Sequence, residues 1–189
     1  MNNLIKSIKV TITLIILLGI SYVMILSIFA LIATPTNGKV ELVYINNKVV
    51  GAKNIGQSFC SPEYFSGRPS ATGYKAHRSA GANDAISDSL YIKKVALRIQ
   101  ELKKAFPYLK DNDIPIDMIT ASGSGIDPHI SVKGAYMQVQ SIAKHRGMSV
   151  EDINNIIKSK IKKPYFSIFG TYQLNVLELN IALDNATRK

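Results

Sequence analysis

A small mixed α/β (α+β) domain hung from one apolar N-terminal helix is the fold class that this 189-residue sequence predicts. Two observations carry the prediction. The run Val10–Ala33 holds no charged residue, and the chain after it alternates short β-type stretches with capped, amphipathic helix patterns. A third narrows it: no internal repeat or low-complexity segment interrupts residues 34–189, so one domain is expected there.

As a helix rising about 1.5 Å per residue, Val10–Ala33 would be about 36 Å long, enough to cross a hydrocarbon core of roughly 30 Å. Its polar members are the hydroxyl residues Thr11, Thr13, Ser21, Tyr22 and Ser27, which can bond back to helix carbonyls. A buried core helix seldom stays apolar so long. A cleaved signal has a shorter core, of about 7–15 residues, and Leu31 stands where a small residue is expected. A retained single-pass anchor is the reading that follows. Lys6, Lys9 and the amino terminus crowd one side, which predicts residues 1–9 in the cytoplasm and 34–189 as an extracytoplasmic domain of a cell-membrane protein. Gly19, Ser21 and Ser27 are small enough for close contact with partner helices.

The formal net charge is +10. An acidic partner or an anionic membrane surface would answer to it, and so would a plainly solvated lysine-rich face. No basic stripe interleaved with aromatics appears, so nucleic acid is not an expected partner. Cys60 is the single cysteine. It allows neither an internal disulfide nor a multi-thiolate metal site, and it is expected to be small and partly buried.

The elements then follow in order. Thr34–Gly38 is a breaker cluster at the end of the apolar run. Val40–Ile45 and Lys48–Ala52 flank Asn46-Asn47 and predict a hairpin with a tight turn. Gln57–Ala71 and the polar stretch through Ser79–Asn83 lack periodicity and predict a long loop of the functional or binding kind. From Asp88 the apolar stripe Tyr91, Val95, Ile99, Leu102 and Phe106 predicts a helix closed by Pro107. Asp111, Asp113 and Asp117 surround a short strand expected at Ile116–Thr120. These carboxylates suit turn chemistry and solvation better than a cation site, because no bidentate glutamate or calcium-loop spacing accompanies them. A helix is expected from about Ser131 to Arg146, stopped by Gly147. Another opens at Ser149 with Glu151 and Asp152 in its first turn and runs to Lys158–Lys163 before Pro164. Tyr165–Phe169 reads as a strand and Gly170 as a turn. Asn175-Val-Leu-Glu178 resembles a capping box opening a last helix with Leu179 and Leu183 inward.

Thr120–Ser131 carries two serines, an aspartate and a histidine. Ser122, Ser124, Asp127 and His129 invite a hydrolase reading, which the spacing opposes: Ala121 stands where a nucleophile elbow needs glycine. Asp127 and His129 are also too close along the chain for ordinary triad geometry. The glycines permit an anion-binding nest, and Asp127-Pro128 looks like a helix cap followed by proline at the first helical position. Capping with a tight turn is the expected role.

Several segments together are more specific than any one alone: Gly56–Phe59, Tyr64–Ala71, Thr120–Ser131, Ala143–Gly147 and Asn175–Asp184. In order and spacing they resemble the C subunit of the Kdp potassium-transporting ATPase, the KdpC family, over nearly the whole chain. The resemblance implies one transmembrane helix plus an extracytoplasmic domain. It also implies a complex with a channel-like potassium-binding subunit, a P-type ATPase subunit and a small single-helix subunit, all within membrane lipid. On that likeness the chain is an accessory, non-catalytic subunit. It would stabilise assembly and act as a chaperone-like factor supporting ATP binding or potassium transport by its partners. It would hold no cofactor or metal firmly; ATP would belong to the ATPase subunit, and potassium would be the transported ion. The family's proposed nucleotide contact corresponds here to Ser79, Gly81 and Asn83. Ala80 and Ala82 depart from its usual Ser-Gly-Gly-Ser-Asn, costing backbone freedom and a hydroxyl donor. A loop outside the membrane could not meet cytoplasmic ATP, because no second crossing returns it. Gln57, Arg68, Ser122, Ser124, Asp127 and His129 belong to the shared signature without an assigned role. An anchored hydrolase, and an anchored sensor or adhesion domain, are the competing classes.

Overall fold

The computed structural model describes residues 2–164 and 170–187. The chain separates into two compact units, Met1–Glu41 and Leu42–Lys189.

The first unit is helical. Helix α1 (Asn2–Leu14) passes into a π-helical stretch, Ile15–Ser21, and then α2 (Tyr22–Ala33). Together they supply one 31-residue helix, Asn3–Ala33, long and apolar enough to cross a membrane. Hydroxyls bond backwards along it: Thr13 Oγ1 donates to Lys9 O at 2.9 Å and Ser27 Oγ to Val23 O at 2.8 Å. Such back-bonding removes the polar cost of a hydroxyl in an apolar surrounding. In the π-helical stretch Ser21 Oγ reaches Ile16 O, five residues back, at 3.3 Å. Thr34 ends the helix, its Oγ1 donating to Ala30 O and accepting from Gly38 N.

The second unit opens with the expected hairpin, β1 (Leu42–Ile45) and β2 (Lys48–Ala52), antiparallel and turned by Asn46 and Asn47. Both asparagines have positive φ, 48° and 63°, as a two-residue type I′ turn requires. A long loop follows. Helix α3 (Ser89–Ala105) is capped by Asp88, whose side chain accepts from Leu90 N at 2.8 Å. Its stripe only leans on the body: no residue of α3 is buried, whereas Phe106 just beyond it is, at 9% exposure.

The strand expected at Ile116–Thr120 is instead a 3₁₀ turn, Ile116–Met118. Met118 N bonds Pro115 O and Ile119 N bonds Ile116 O, so the local i+3 bonds replace a ladder. Asp127-Pro128 does not open a helix either; it leads into β3 (His129–Ser131), and Ser131 is the cap that starts α4 (Val132–Tyr136). The single helix expected to Arg146 is broken at Met137-Gln138, with α5 (Val139–Arg146) beginning afterwards and ending on Gly147 in the left-handed conformation. The break has two causes. Tyr108 Oη donates to Met137 O at 2.8 Å and accepts from Ser141 N, and the Gln138 side chain turns away to another segment.

Helix α6 (Val150–Lys160) starts on Ser149 as expected. The expected strand Tyr165–Phe169 lies outside the described residues. β4 (Gln173–Asn175) pairs antiparallel with β3, joining His129 to Asn175 and Ser131 to Gln173. Helix α7 (Val176–Thr187) follows. Asn175 Oδ1 caps it by accepting from Glu178 N at 3.1 Å. The capping box is not closed, because the Glu178 carboxylate pairs with Lys162 Nζ at 3.0 Å.

Both described sheets are antiparallel pairs, which makes the domain α+β rather than α/β. The core sits between β3–β4 and helices α4 to α7, filled by Phe65, Ile130, Ile142, Ile153, Leu174 and Leu179, with Leu183 also inward. Cys60 is exposed, not partly buried; its loop runs along the surface.

Candidate functional site

The long loop is not loose. Gln138 and Asn180, two amides with under 3% exposure, hold its middle as a strand partner would. Asn180 Oδ1 accepts from Phe65 N at 2.8 Å and its Nδ2 donates to Phe65 O at 3.0 Å. Gln138 Oε1 accepts from Ser66 N and Ser66 Oγ, while Nε2 donates to Ser66 O and Gly134 O. Neither amide stands out in the sequence, since each occupies an inward position of an expected helix, where a hydrophobic residue is normal. That misplacement is the one signal that could have found them.

On either side of Phe65-Ser66 the loop packs on Thr120–Ser131. Gly56 N donates to Ile126 O at 2.7 Å and Ser122 N to Pro69 O at 3.0 Å. Gly56 needs its missing side chain: a Cβ there would lie 2.6 Å from Asp127 O and 2.7 Å from Tyr74 Cε1. Gly125 has φ +69°, and its carbonyl accepts from Ser70 Oγ at 2.5 Å and Thr72 Oγ1 at 3.1 Å. The Tyr74 ring is wedged between these segments and donates its hydroxyl to Arg68 O at 2.5 Å. Burial, reinforced by the nearby Asp127 charge, pushes the Tyr74 phenol up to about 12.

Arg68, Asp127 and His129 form one cluster. Arg68 Nη1 donates to Asp127 Oδ2 at 3.2 Å; Asp127 Oδ1 accepts from His129 N at 3.0 Å and lies 3.4 Å from His129 Nδ1. Burial alone would raise the Asp127 carboxyl. The His129 side-chain and backbone hydrogen bonds and the Arg68 charge outweigh that and hold it below its ordinary value. Arg68 Nε is buried and has no hydrogen-bond partner among the described residues. The cluster borders a cleft of about 530 Å³ shared with Asp117, Lys133 and Tyr172. A second cavity, about 630 Å³, lies between α3 and the Phe59–Pro69 stretch, and none of Gln57, Arg68, Ser122, Ser124, Asp127 and His129 lines it.

Ser122 and Ser124 do not join this cluster as nucleophiles. Ser122 is buried, at 3% exposure, and Ser124 Oγ accepts from Ile126 N at 3.2 Å, closing a local turn. Among the described residues no hydrogen bond links either serine to His129, so the hydrolase constellation is not assembled. Ser79, Gly81 and Asn83 lie along the same turn. Ser79 Oγ and Ala80 N both donate to Ser124 O, at 3.1 and 3.0 Å. A Cβ on Gly81 would sit 2.9 Å from Gly123 O, and Asn83 has φ 54°. Gln57 stands apart, donating to Val50 O of the hairpin at 3.1 Å.

The acidic patch does not converge. Asp117 turns inward to Ser131 N at 2.7 Å and Ser131 Oγ at 3.0 Å. Asp113 accepts from Lys110 N, and Asp111 pairs with Lys103. Among the described residues no group of three or more metal-ligating side chains is present.

What results is a small α+β domain, preceded by one helix of membrane-crossing length, in which the shared polar residues hold loops to one another. Comparison with known proteins adds the family. The family described as "KdpC: K+-transporting ATPase, c chain" matches residues 4–185. Similar proteins include the potassium-transporting ATPase KdpC subunit of Phocaeicola vulgatus, 46% identical over 188 residues, covering 98% of this chain and 100% of that one. Those of Bacteroides fragilis (44% over 186 residues, 97% of each chain) and Flavobacterium johnsoniae (45% over 184 residues, 97% of this chain and 98% of that one) are comparable. The chain belongs to the KdpC family of potassium-transporting ATPase subunits.

Proposed function

We propose that the chain is a non-catalytic accessory subunit of a potassium-transporting P-type ATPase, anchored by Asn3–Ala33 with its amino terminus in the cytoplasm and its α+β domain outside. The domain packs on the channel-like, potassium-binding subunit at the side where ions enter. Its role is to stabilise the complex formed with that subunit, the ATPase subunit and a small single-helix subunit, and so to support ATP binding or potassium transport by those partners. The observation that carries this reading, beside the near full-length family match, is that most of the shared polar side chains are engaged in holding two segments of this chain together. Arg68, Asp127, His129, Ser79 and Ser124 each take a partner within two adjoining loops. Such an arrangement preserves a surface shape and leaves no free nucleophile–base pair. Ser79, Gly81 and Asn83 then act as packing residues of the loop, and ATP stays with the ATPase subunit.

The test is mild detergent extraction of the tagged chain, paired with protease added to intact cells stripped of their outer barrier. Co-purification of three membrane partners and digestion of the domain from outside are expected. A chain that extracts alone, or a domain protected from external protease, overturns the reading. Ser124→Ala and His129→Ala are expected to retain ATP-coupled potassium uptake within about twofold, since a lost general base or nucleophile would cost at least about 10²-fold.

A further inference from the structure

The hairpin breaks the usual rule for a half-buried antiparallel pair, apolar inside and polar outside. Its inner face packs as expected: Gly51 stands opposite Val43, and a Cβ on Gly51 would come within 2.9 Å of Leu177. Its outer face is apolar as well. Leu42, Tyr44 and Val49 are 44%, 59% and 54% exposed, and Tyr44 stands directly opposite Val49 in the register. Among the described residues β1 pairs only with β2, which leaves its other edge without a strand there.

We propose that this face is a second membrane contact, seated in the headgroup region of a bilayer containing anionic lipid. The proposal rests on the reading of Asn3–Ala33 as a bilayer-crossing helix. By sequence, Leu42 follows that helix after eight residues, which reach at most about 29 Å when fully extended. The connecting residues therefore set that reach as the upper limit on how far Leu42 can lie from the end of the helix. The composition suits that depth. A tyrosine with an apolar body and a polar tip is characteristic of the membrane–water interface, and Lys48, exposed beside the turn and opposite Ile45 in the register, lies at the rim of that face. No acidic residue occurs between Glu41 and Glu63, so nothing on the hairpin repels phosphate, and each lysine near an anionic surface adds to the attraction. A protein partner fits less well, because three side chains fall far short of the roughly 800 Å² per side that a stable protein interface buries.

The chain contains no tryptophan, so one introduced indole reports its own surroundings. Tyr44→Trp, Phe29→Trp and Ile86→Trp full-length chains would be reconstituted in phosphatidylcholine vesicles with and without phosphatidylglycerol. Quenching would be measured with lipids brominated near the headgroup or deep in the acyl chain. Tyr44→Trp is expected to be quenched at least twofold by shallow bromines, more so with phosphatidylglycerol, and Ile86→Trp to be unquenched. Blue-shifted but unquenched Tyr44→Trp emission marks a protein-covered face and overturns the proposal, as does equal quenching of Ile86→Trp. Phe29→Trp separates the two readings. If it is not quenched at any depth, the crossing helix itself fails. If it is quenched while Tyr44→Trp is not, the hairpin proposal alone fails.

Discussion

Tyr74 shows how one side chain joins two loops. Its hydroxyl donates to Arg68 O, its ring fills the space left by Gly56 and Gly67, and Asp127 lies beside it. Tyr74→Phe is expected to lower the unfolding free energy by about 1 kcal/mol, the net worth of one such hydrogen bond, as read from chemical denaturation in detergent. Its pH dependence has a definite sign. A phenol raised to about 12 in the fold contributes stability that is fully present below its ordinary value near 10 and lost as pH rises through about 12. Asp127 behaves in the opposite sense. Its carboxyl is held low in the fold, so its contribution is present above the ordinary value near 4 and lost as pH falls below it through the folded value. Asp127→Asn is therefore expected to flatten the acid limb of the stability profile in melts between about pH 2 and 5, and to weaken the alkaline limb in part, because the Asp127 charge helps to raise the Tyr74 phenol.

At the scale of elements, the interrupted helix α4–α5 carries the lesson. Periodicity over Ser131–Arg146 reads as one helix, because nothing local forbids it. Gln138 and Tyr108, from different parts of the chain, make the break. Gln138→Ala would leave Ser66 N, Ser66 O and Gly134 O without their buried partner. At about 1–3 kcal/mol for a buried unsatisfied group, and with part of the loop free to rehydrate, a loss of about 3 kcal/mol is expected. Gln138→Leu, which keeps the volume, is expected to cost a similar amount, and equal stability of Gln138→Leu and the parent would sink the clamp. Partial legibility has the same physical origin elsewhere. Caps at Ser149 and Asn175 were readable because each cap bond spans three residues of sequence. The 3₁₀ turn at Ile116 was not, because a strand needs a partner and the sequence does not say that Asp117 is turned toward Ser131.

Across the whole molecule, three segments far apart in sequence are drawn together by one arginine. Arg146 at the end of α5 donates to Glu63 O at 2.6 Å, to Thr187 Oγ1 at 3.1 Å and to Asp184 Oδ1 at 2.8 Å, and stacks 4.5 Å over the Tyr64 ring. Its side chain is only 6% exposed, so a guanidinium here is fully used rather than available to a ligand. Lysine could not replace the fork geometry. The same economy runs through the candidate site, where recognisable polar residues are spent on internal order. Such residues mark the family without marking a reaction.

Much of this protein follows from its sequence alone. The apolar length of Val10–Ala33, the Asn-Asn hairpin turn and the caps at Ser149 and Asn175 are local patterns, and the family signature is the order and spacing of such short segments along the chain. The tertiary structure decided the rest. It separated Ser122 and Ser124 from His129, joined Ser79 to the Ser124 turn, split a helix with distant amide and phenol groups, and left Leu42, Tyr44 and Val49 uncovered. The physical reason is that hydrogen-bond partners and burial are properties of what arrives from elsewhere in the chain, and no window of neighbouring residues contains that information.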